Sequence, residues 1–387
     1  MTYFKFECRS FFLSKKNIAI YLLLFCFSLF YWLNIEANYH SKEEVLPSEI
    51  SARVNNREKF VNRINPNDDL HPEVRMVLTL WPPIIEVDKN RLDALEKEEW
   101  QKYAENTAKW YEIETPKYKN PRYYTYGNYY ANMDEYFGRE SNKTKMLAYS
   151  QPAQKKYLTL NVLNDKTAWQ SLVRATFYWL PVLLMLVTLF FSMDLISKDR
   201  KHYSIHSNIP ISQTKRLLTK ISVTFLGVLV SLIPLASGFI GIGMTNGFGS
   251  LHLPVSILYR DVVPKTLSIQ TYLGYFSLYM LLWILCLIVL SLLLGLWIKN
   301  EVILLLVLSV IPFVDISYNK VGFGDIYPII AWLPTSYTRI GEVLTGYRCF
   351  TWLLPVDNHF LGLQVLSVTL IVLLGFLWLV TRKKRIV

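Results

Sequence analysis

Long apolar stretches divide this chain, and the segments between them alternate between basic and neutral charge. Four segments, at residues 1–16, 194–220, 299–301 and 381–387, hold 15 Lys/Arg and 4 Asp/Glu, which accounts for the whole net charge of +11. The other 26 basic and 26 acidic residues cancel. Because positively charged loops stay on the cytoplasmic side of a membrane, this pattern predicts a membrane protein with both termini inside the cell.

Six apolar stretches predict six transmembrane helices. A helix needs about 20 apolar residues to cross a hydrocarbon core of roughly 30 Å. No small-residue cleavage site follows the first stretch, so we expect an uncleaved anchor rather than a removed signal peptide. Arg174, near the outer end of the second, is expected to extend its long side chain to the membrane surface. The predicted helices cover residues 17–35, 172–193, 221–244, 267–298, 302–314 and 361–380.

The fifth stretch is too short to cross a bilayer as one straight helix. It offers 13 apolar residues before Asp315, and Pro312 lies near its end. A second apolar piece begins at Tyr327. We expect a broken or re-entrant helix, which is tolerated where protein or water covers the free backbone groups. The alternative is an ordinary helix that frays into a surface loop, and in either case Asp315 and Asp325 are expected in water at the outer surface.

The largest polar segment, residues 36–170, is predicted to form a small extracellular domain. It holds 20 Lys/Arg and 21 Asp/Glu and no cysteine, so neither nucleic-acid binding nor a disulfide framework is expected. Residues 47–62 and 88–112 resemble helices, and the alternation over residues 157–163 predicts a strand, which makes the domain α+β. Its aromatic residues either pack the domain or contact a substrate, and the substrate-contact candidates are Tyr123, Tyr124, Tyr126, Tyr129 and Tyr130.

Motifs for catalysis and nucleotide hydrolysis are missing from the sequence. There is no GxxxxGK[ST], HExxH, GxSxG or CxxC pattern, so an enzyme is not expected, and no cofactor or metal site is predicted. His202 and His206 have helical spacing but no third ligand nearby. The apolar cores also lack the charged groups with which ion-coupled transporters bind or relay their ion. If the chain transports a substrate, another subunit is expected to supply the energy.

The basic loop at residues 194–220 carries the most informative local pattern. A charged turn, Asp199, Arg200 and Lys201, leaves the second predicted helix, and Pro210, Ile211 and Ser212 follow. Lys215 and Lys220 then lead into the third helix. In this order the loop resembles the inner loop of the type 2 ATP-binding-cassette (ABC) exporter permeases. His202, Tyr203 and Ser204 depart from the residues that often follow the turn in that family.

The resemblance implies a specific architecture over about 240 residues of the membrane part. It implies an all-α polytopic membrane protein with six transmembrane helices, an interfacial amphipathic helix over residues 1–16 and a re-entrant outer element over residues 327–346. Some members of the family also carry an extracellular domain between the first two helices, as predicted here. The implied partners are two copies of a cytoplasmic ATPase subunit, a second permease copy or a related permease, and membrane lipids. The implied ATPase-coupling residues are Asp199, Arg200, Lys201, Pro210, Ile211, Ser212 and Lys215.

Two function classes follow from the sequence. The first is a permease subunit that exports an amphipathic substrate, such as a peptide, lipid or glycolipid, with ATP hydrolysed by its partner. The second is a membrane sensor or scaffold whose extracellular domain binds a ligand without transport. The cysteine-free outer domain favours a bacterial plasma membrane in both cases.

Overall fold

The computed structural model describes residues 3–41, 45–65, 69–114, 130–201, 211–259, 263–318, 327–351 and 359–383. In chain order its helices are α1 (Tyr3–Phe12), α2 (Lys15–Phe30), α3 (Pro47–Arg63), α4 (Pro72–Glu96), α5 (Trp100–Glu114), α6 (Tyr130–Tyr149), α7 (Leu160–Leu163), α8 (Ala168–Tyr178), α9 (Leu180–Ser192), α10 (Leu195–Lys201), α11 (Gln213–Val230), α12 (Leu232–Asn246), α13 (Ile269–Gly295), α14 (Glu301–Ser309), α15 (Asp315–Tyr318), α16 (Tyr327–Ile330), α17 (Ile340–Leu344), α18 (Tyr347–Thr351) and α19 (His359–Lys383). Short 3₁₀ or π turns lie at Tyr31–Glu36, Pro152–Tyr157, Ile311–Phe313 and Pro334–Tyr337. Strands β1 (Pro254–Ile257) and β2 (Lys265–Ser268) pair antiparallel.

Five helical segments in the described part of the chain are long and apolar enough to cross a membrane. They indicate a polytopic membrane protein, as the sequence predicts, and four of them coincide with predicted helices to within a few residues, except that the third begins eight residues early. The five segments are Lys15–Glu36, Leu180–Lys201, Gln213–Asn246, Ile269–Gly295 and Phe360–Arg382.

The prediction for the second helix, residues 172–193, is wrong in its bounds. Helix α8 ends at Trp179, and the long apolar segment begins at Leu180 and continues to Lys201. Pro181 stands in the first turn of α9, where its missing N–H group interrupts the hydrogen-bond ladder that would join the two helices. Arg174 therefore lies on α8, outside the long segment. It pairs with Glu36 (Nη2 to Oε2, 2.7 Å) instead of reaching for water alone.

Helix α13 is the centre of the membrane part. It packs against α9 and α19, and Tyr272, Leu287 and Leu292 are fully buried in the main apolar core. Helices α2 and α12 pack closely because Gly238 has no side chain and Ser28 sits against it. The Ser28 hydroxyl accepts a hydrogen bond from the Gly238 N–H (2.8 Å) and donates one to the Leu235 carbonyl (2.6 Å). This is the small-residue, hydrogen-bonded packing that apolar helices use in membranes.

The fifth predicted helix, residues 302–314, is short and interrupted. The apolar helical segment Glu301–Phe313 is shorter than the five long ones, and it changes from α14 into a 3₁₀ turn around Pro312. Beyond α15 and a gap in the described residues, residues 327–346 form short helical pieces rather than one helix. Helix α17 among them is buried against α8, because Gly341 leaves room for the backbone of Phe177. The structure thus agrees with a broken segment here.

The predicted outer domain is helical where it is described, and the expected strand at residues 157–163 is wrong. Those residues form a 3₁₀ turn and α7, whose start is capped by the Thr159 hydroxyl accepting from the Val162 N–H (3.3 Å). Helix α3 confirms the prediction over residues 47–62. The helix predicted over residues 88–112 is divided between α4 and α5 near Glu98, whose φ of 53° lies in the left-handed region.

The sheet that contacts this domain comes from a different part of the sequence. Strands β1 and β2 lie between α12 and α13 and pack against α6. Leu253 and Ile269, at the two ends of this hairpin, are buried in the same apolar cluster as Ile50, Tyr103 and Leu163. The domain core therefore extends beyond the predicted limits of 36–170.

Candidate functional site

Helix α10 carries the first part of the predicted coupling surface. Its apolar residues Leu195 and Ile196 are buried in the main core. Its last turn carries Lys198, Arg200 and Lys201, a position where positive charge interacts favourably with the helix dipole. We call the end of the molecule that holds α1, α10 and the start of α11 the basic end.

Asp199 is buried at the basic end in an ion pair. Its Oδ1 lies 2.8 Å from Lys220 Nζ, and the two side chains are 1% and 3% exposed. Lys220 also donates to the Leu195 carbonyl (3.1 Å) and lies 3.5 Å from Glu7 of α1. A buried pair with such additional partners holds its elements firmly, because removing one charge leaves the other uncompensated. Asp199 thus joins α10 to α11 and α1.

Asp194 makes a second junction, between α10 and the start of α2. Its two carboxylate oxygens lie 2.9 Å from Lys16 Nζ and 2.9 Å from Lys198 Nζ, respectively. Lys16 also donates to the Phe190 carbonyl (2.7 Å). The first long helix is therefore fixed to the end of the second by charge-assisted hydrogen bonds.

Glu301 makes a third junction, between α10 and the start of α14. Its carboxylate accepts from the Ser197 hydroxyl (3.1 Å) and pairs with Lys201. Arg200 donates to the Leu296 carbonyl (2.8 Å), just beyond the end of α13. The charged turn predicted as an ATPase contact is thus also the place where α10 is attached to its neighbours, and Lys201 keeps 64% of its side chain exposed.

The sequence reasoning missed what the acidic residues of the basic segments do. Those segments contain four carboxylates, Glu7, Asp194, Asp199 and Glu301. Each of them pairs with a lysine at the basic end. We call these four residues and their lysine partners the basic-end network. An acidic residue in an otherwise basic segment was the available signal, and counting net charge concealed it.

The remaining predicted coupling residues lie at the start of α11. Ser212 caps this helix by accepting from the Lys215 N–H (3.4 Å), which satisfies one of the free N–H groups of its first turn. The Lys215 side chain is exposed and Ile211 is half-buried. Pro210, His202 and His206 lie outside the described residues.

The outer side of the membrane part holds a second charged cluster, which overturns the expectation that Asp315 lies in water. Asp315 is 1% exposed, and its Oδ2 lies 2.9 Å from Arg348 and 3.2 Å from Arg339. Glu342 completes the cluster by pairing with Arg348 (2.7 Å) and Arg339 (3.0 Å). Burial acts to lower the pKa of Arg339, but the charges of Glu342 and Asp315 outweigh it and raise that pKa. Asp325 lies outside the described residues.

The tyrosines proposed to contact a substrate are largely beyond what the structure describes. Tyr123, Tyr124, Tyr126 and Tyr129 lie outside the described residues, and Tyr130 begins α6. Neighbouring aromatics that are described, Trp110, Tyr111 and Tyr136, are buried. Within the described residues, no group of three or more His, Cys, Asp or Glu side chains is placed to hold a metal ion.

The comparisons with known proteins identify no relative: no family model, curated protein or solved structure matches this chain. No activity, ligand or partner can therefore be carried over to it from another protein.

Proposed function

We propose that this chain is the membrane-spanning permease subunit of an ABC transporter that exports an amphipathic substrate. A separate cytoplasmic subunit, present in two copies, hydrolyses the ATP. The observation that carries the proposal is the basic-end network, because it attaches one short helix, α10, to four other elements. A force applied to α10 would act on α1, α2, α11 and α14 together.

The proposed coupling surface is the exposed, positive part of the basic end. Lys201 and Lys215 offer exposed positive side chains on the two helices that flank residues 202–210. An ATPase with an acidic groove would bind there partly by electrostatic attraction, and salt would weaken that contact. Asp199 takes a different part, since its carboxylate is buried and keeps α10 in place.

The proposed substrate path lies between two permease copies, or between this chain and a related permease. Helix α14 supports this arrangement because it leaves a row of apolar side chains exposed: Val302, Leu306 and Val310. The interrupted backbone around Pro312 must also be shielded from lipid, and a neighbouring subunit would do so. An apolar path of this kind suits a peptide, lipid or glycolipid.

Affinity purification of the tagged full chain from its native host tests the proposal. We expect a cytoplasmic protein with an ATP-binding Walker motif to co-purify, and its ATPase activity to depend on the chain. Lys215→Glu should reduce that recovery, while Lys299→Glu, the same charge change at an exposed site on the same end, should not. If the chain inserts in the membrane but no such ATPase is recovered, the permease proposal is wrong and a sensor or scaffold is favoured.

A further inference from the structure

The outer domain contains a group of arginines that the proposed transport function does not use. Arg53 and Arg57 of α3 and Arg91 of α4 surround the carboxylate of Asp88, which is fully buried. Both Asp88 oxygens accept from Arg53 (3.0 and 3.1 Å), and Oδ1 also accepts from Arg91 (2.9 Å). Arg57 lies 3.7 Å from Oδ2. We call these four residues the arginine cluster.

The arginine cluster carries a surplus of positive charge. Three guanidinium groups and one carboxylate leave a formal charge of +2 for the four residues. The adjacent ion pair between Glu58 and Lys89 (2.6 Å) is neutral by itself. Charge held inside a protein is costly unless it is paired, so a surplus of this size favours the uptake of an anion.

Two hydrogen-bond donors at the cluster have no partner among the described residues. Arg53 uses Nε and Nη2 on Asp88, which leaves Nη1, and 31% of its side chain is exposed to solvent. The indole Nε1 of Trp110 is buried without a partner, although the whole side chain is only 9% exposed. The guanidinium groups of Arg53 and Arg91 lie 5.1 and 5.4 Å from the centroid of the Trp110 ring, so both donors belong to one small region.

An apolar surface borders the charged region. Arg57 lies over the ring of Trp81 (5.6 Å), and Trp81 packs against Phe60 (5.0 Å between centroids). Phe60 is 38% exposed. Exposed apolar area beside a cationic region suits a molecule with an anionic head and an apolar body.

We propose that the arginine cluster binds a phosphate-type dianion carried by an amphiphile, independently of whether the chain is a permease. A dianion matches the surplus of two charges, and its oxygens can accept from Arg53 Nη1 and Trp110 Nε1. Guanidinium groups are well suited to phosphate because their fork of N–H donors fits its oxygens. The apolar body of the ligand lies along Trp81 and Phe60.

Isothermal titration of the purified full chain in a non-ionic detergent tests this site. The ligands are inorganic phosphate, short-chain phosphatidic acid, which is a phosphate monoester, and short-chain phosphatidylcholine. We expect saturable binding of phosphatidic acid, weaker binding of phosphate and none of phosphatidylcholine. If phosphate binds as tightly as phosphatidic acid, the proposed contact with an apolar body is wrong.

Variants separate an anion site from a structural cluster. Arg53→Gln should weaken phosphatidic acid binding about tenfold, because it removes a charged donor. Trp110→Phe, which keeps an aromatic ring but loses Nε1, should weaken it by a smaller factor. Arg75→Gln removes an exposed arginine elsewhere on α4 and should leave affinity unchanged. A folded wild-type chain that binds neither phosphate compound, or an Arg53→Gln variant with unchanged affinity, overturns the proposal.

Discussion

The basic end and the arginine cluster of the outer domain use ionic groups in opposite proportions. At the basic end, four carboxylates meet lysines from several helices, and each carboxylate has at least one of them as a partner. In the outer domain one carboxylate is shared by three arginines. The first arrangement neutralises its charges internally, whereas the second leaves two positive charges for another group to balance.

This difference separates two uses of buried charge. Where acids and bases balance, as in the basic-end network, ion pairs fix helices relative to one another. Where bases exceed acids, the same interactions still hold the helices but also create affinity for an anion. Substitutions that remove one carboxylate from each region should therefore have different consequences.

The largest effect is expected from Asp199→Ala at the basic end. Lys220 would keep only the Leu195 carbonyl and the more distant Glu7, and it has no route to solvent at 3% exposure. Breaking a buried pair in this way costs about 3 to 5 kcal/mol of unfolding free energy. Thermal denaturation in detergent would measure the loss.

Replacing both members of the pair is the control for that experiment. Asp199→Leu combined with Lys220→Met removes both charges at similar volume and should recover most of the lost stability. If Asp199→Ala alone is as stable as the wild type, the network does not hold α10 as described.

The next largest effect is expected from Asp88→Asn in the arginine cluster. Loss of the shared carboxylate should cost about 3 kcal/mol, since Arg91 is buried and cannot turn to solvent as Arg53 can. Phosphate should restore part of that stability by binding the folded state, and should raise the Tm of this variant more than that of the wild type. A variant whose Tm ignores phosphate would show that the arginines take up no anion.

A smaller effect is expected from Asp315→Asn in the outer charged cluster of the membrane part. This cluster is balanced, with two acids and two bases, and Arg348 would keep Glu342 as a partner at 2.7 Å. The remaining pair should limit the loss to about 2 kcal/mol. The double variant Asp315→Asn, Glu342→Gln removes both partners of Arg348 and should lose clearly more than the sum of the two single variants. Strict additivity would mean that the two acids act independently.

The sequence predicted the membrane part well because long apolar runs have few alternatives to helices. It placed four of the five long segments, and it identified residues 302–314 as too short to span. It misplaced the second because apolar composition is continuous across Trp179, while the helix is interrupted beside Pro181. Composition reports burial, but the helix boundary depends on one missing N–H group.

The candidate site was less predictable because it depends on contacts between residues far apart in the sequence. Asp199 and Lys220 are on neighbouring helices, but Lys16 meets Asp194 and Lys201 meets Glu301 across long separations. Asp315 looked like a surface residue, since neither of its arginine partners is near it in the chain. The outer-domain core was missed in part for the same reason: residues 251–269 join it from beyond α12.

The smallest effect on stability is expected from Lys201→Ala, and it gives the sharpest view of the basic end. Lys201 pairs with Glu301 but remains largely exposed, so solvent screens the interaction and Glu301 still accepts from Ser197. We expect no measurable change in Tm. If the basic end is a docking surface, the same substitution should still weaken capture of the ATPase, and raising the salt concentration should reduce the difference between variant and wild type. Loss of stability without loss of capture would show instead that Lys201 serves only to hold α10 against α14.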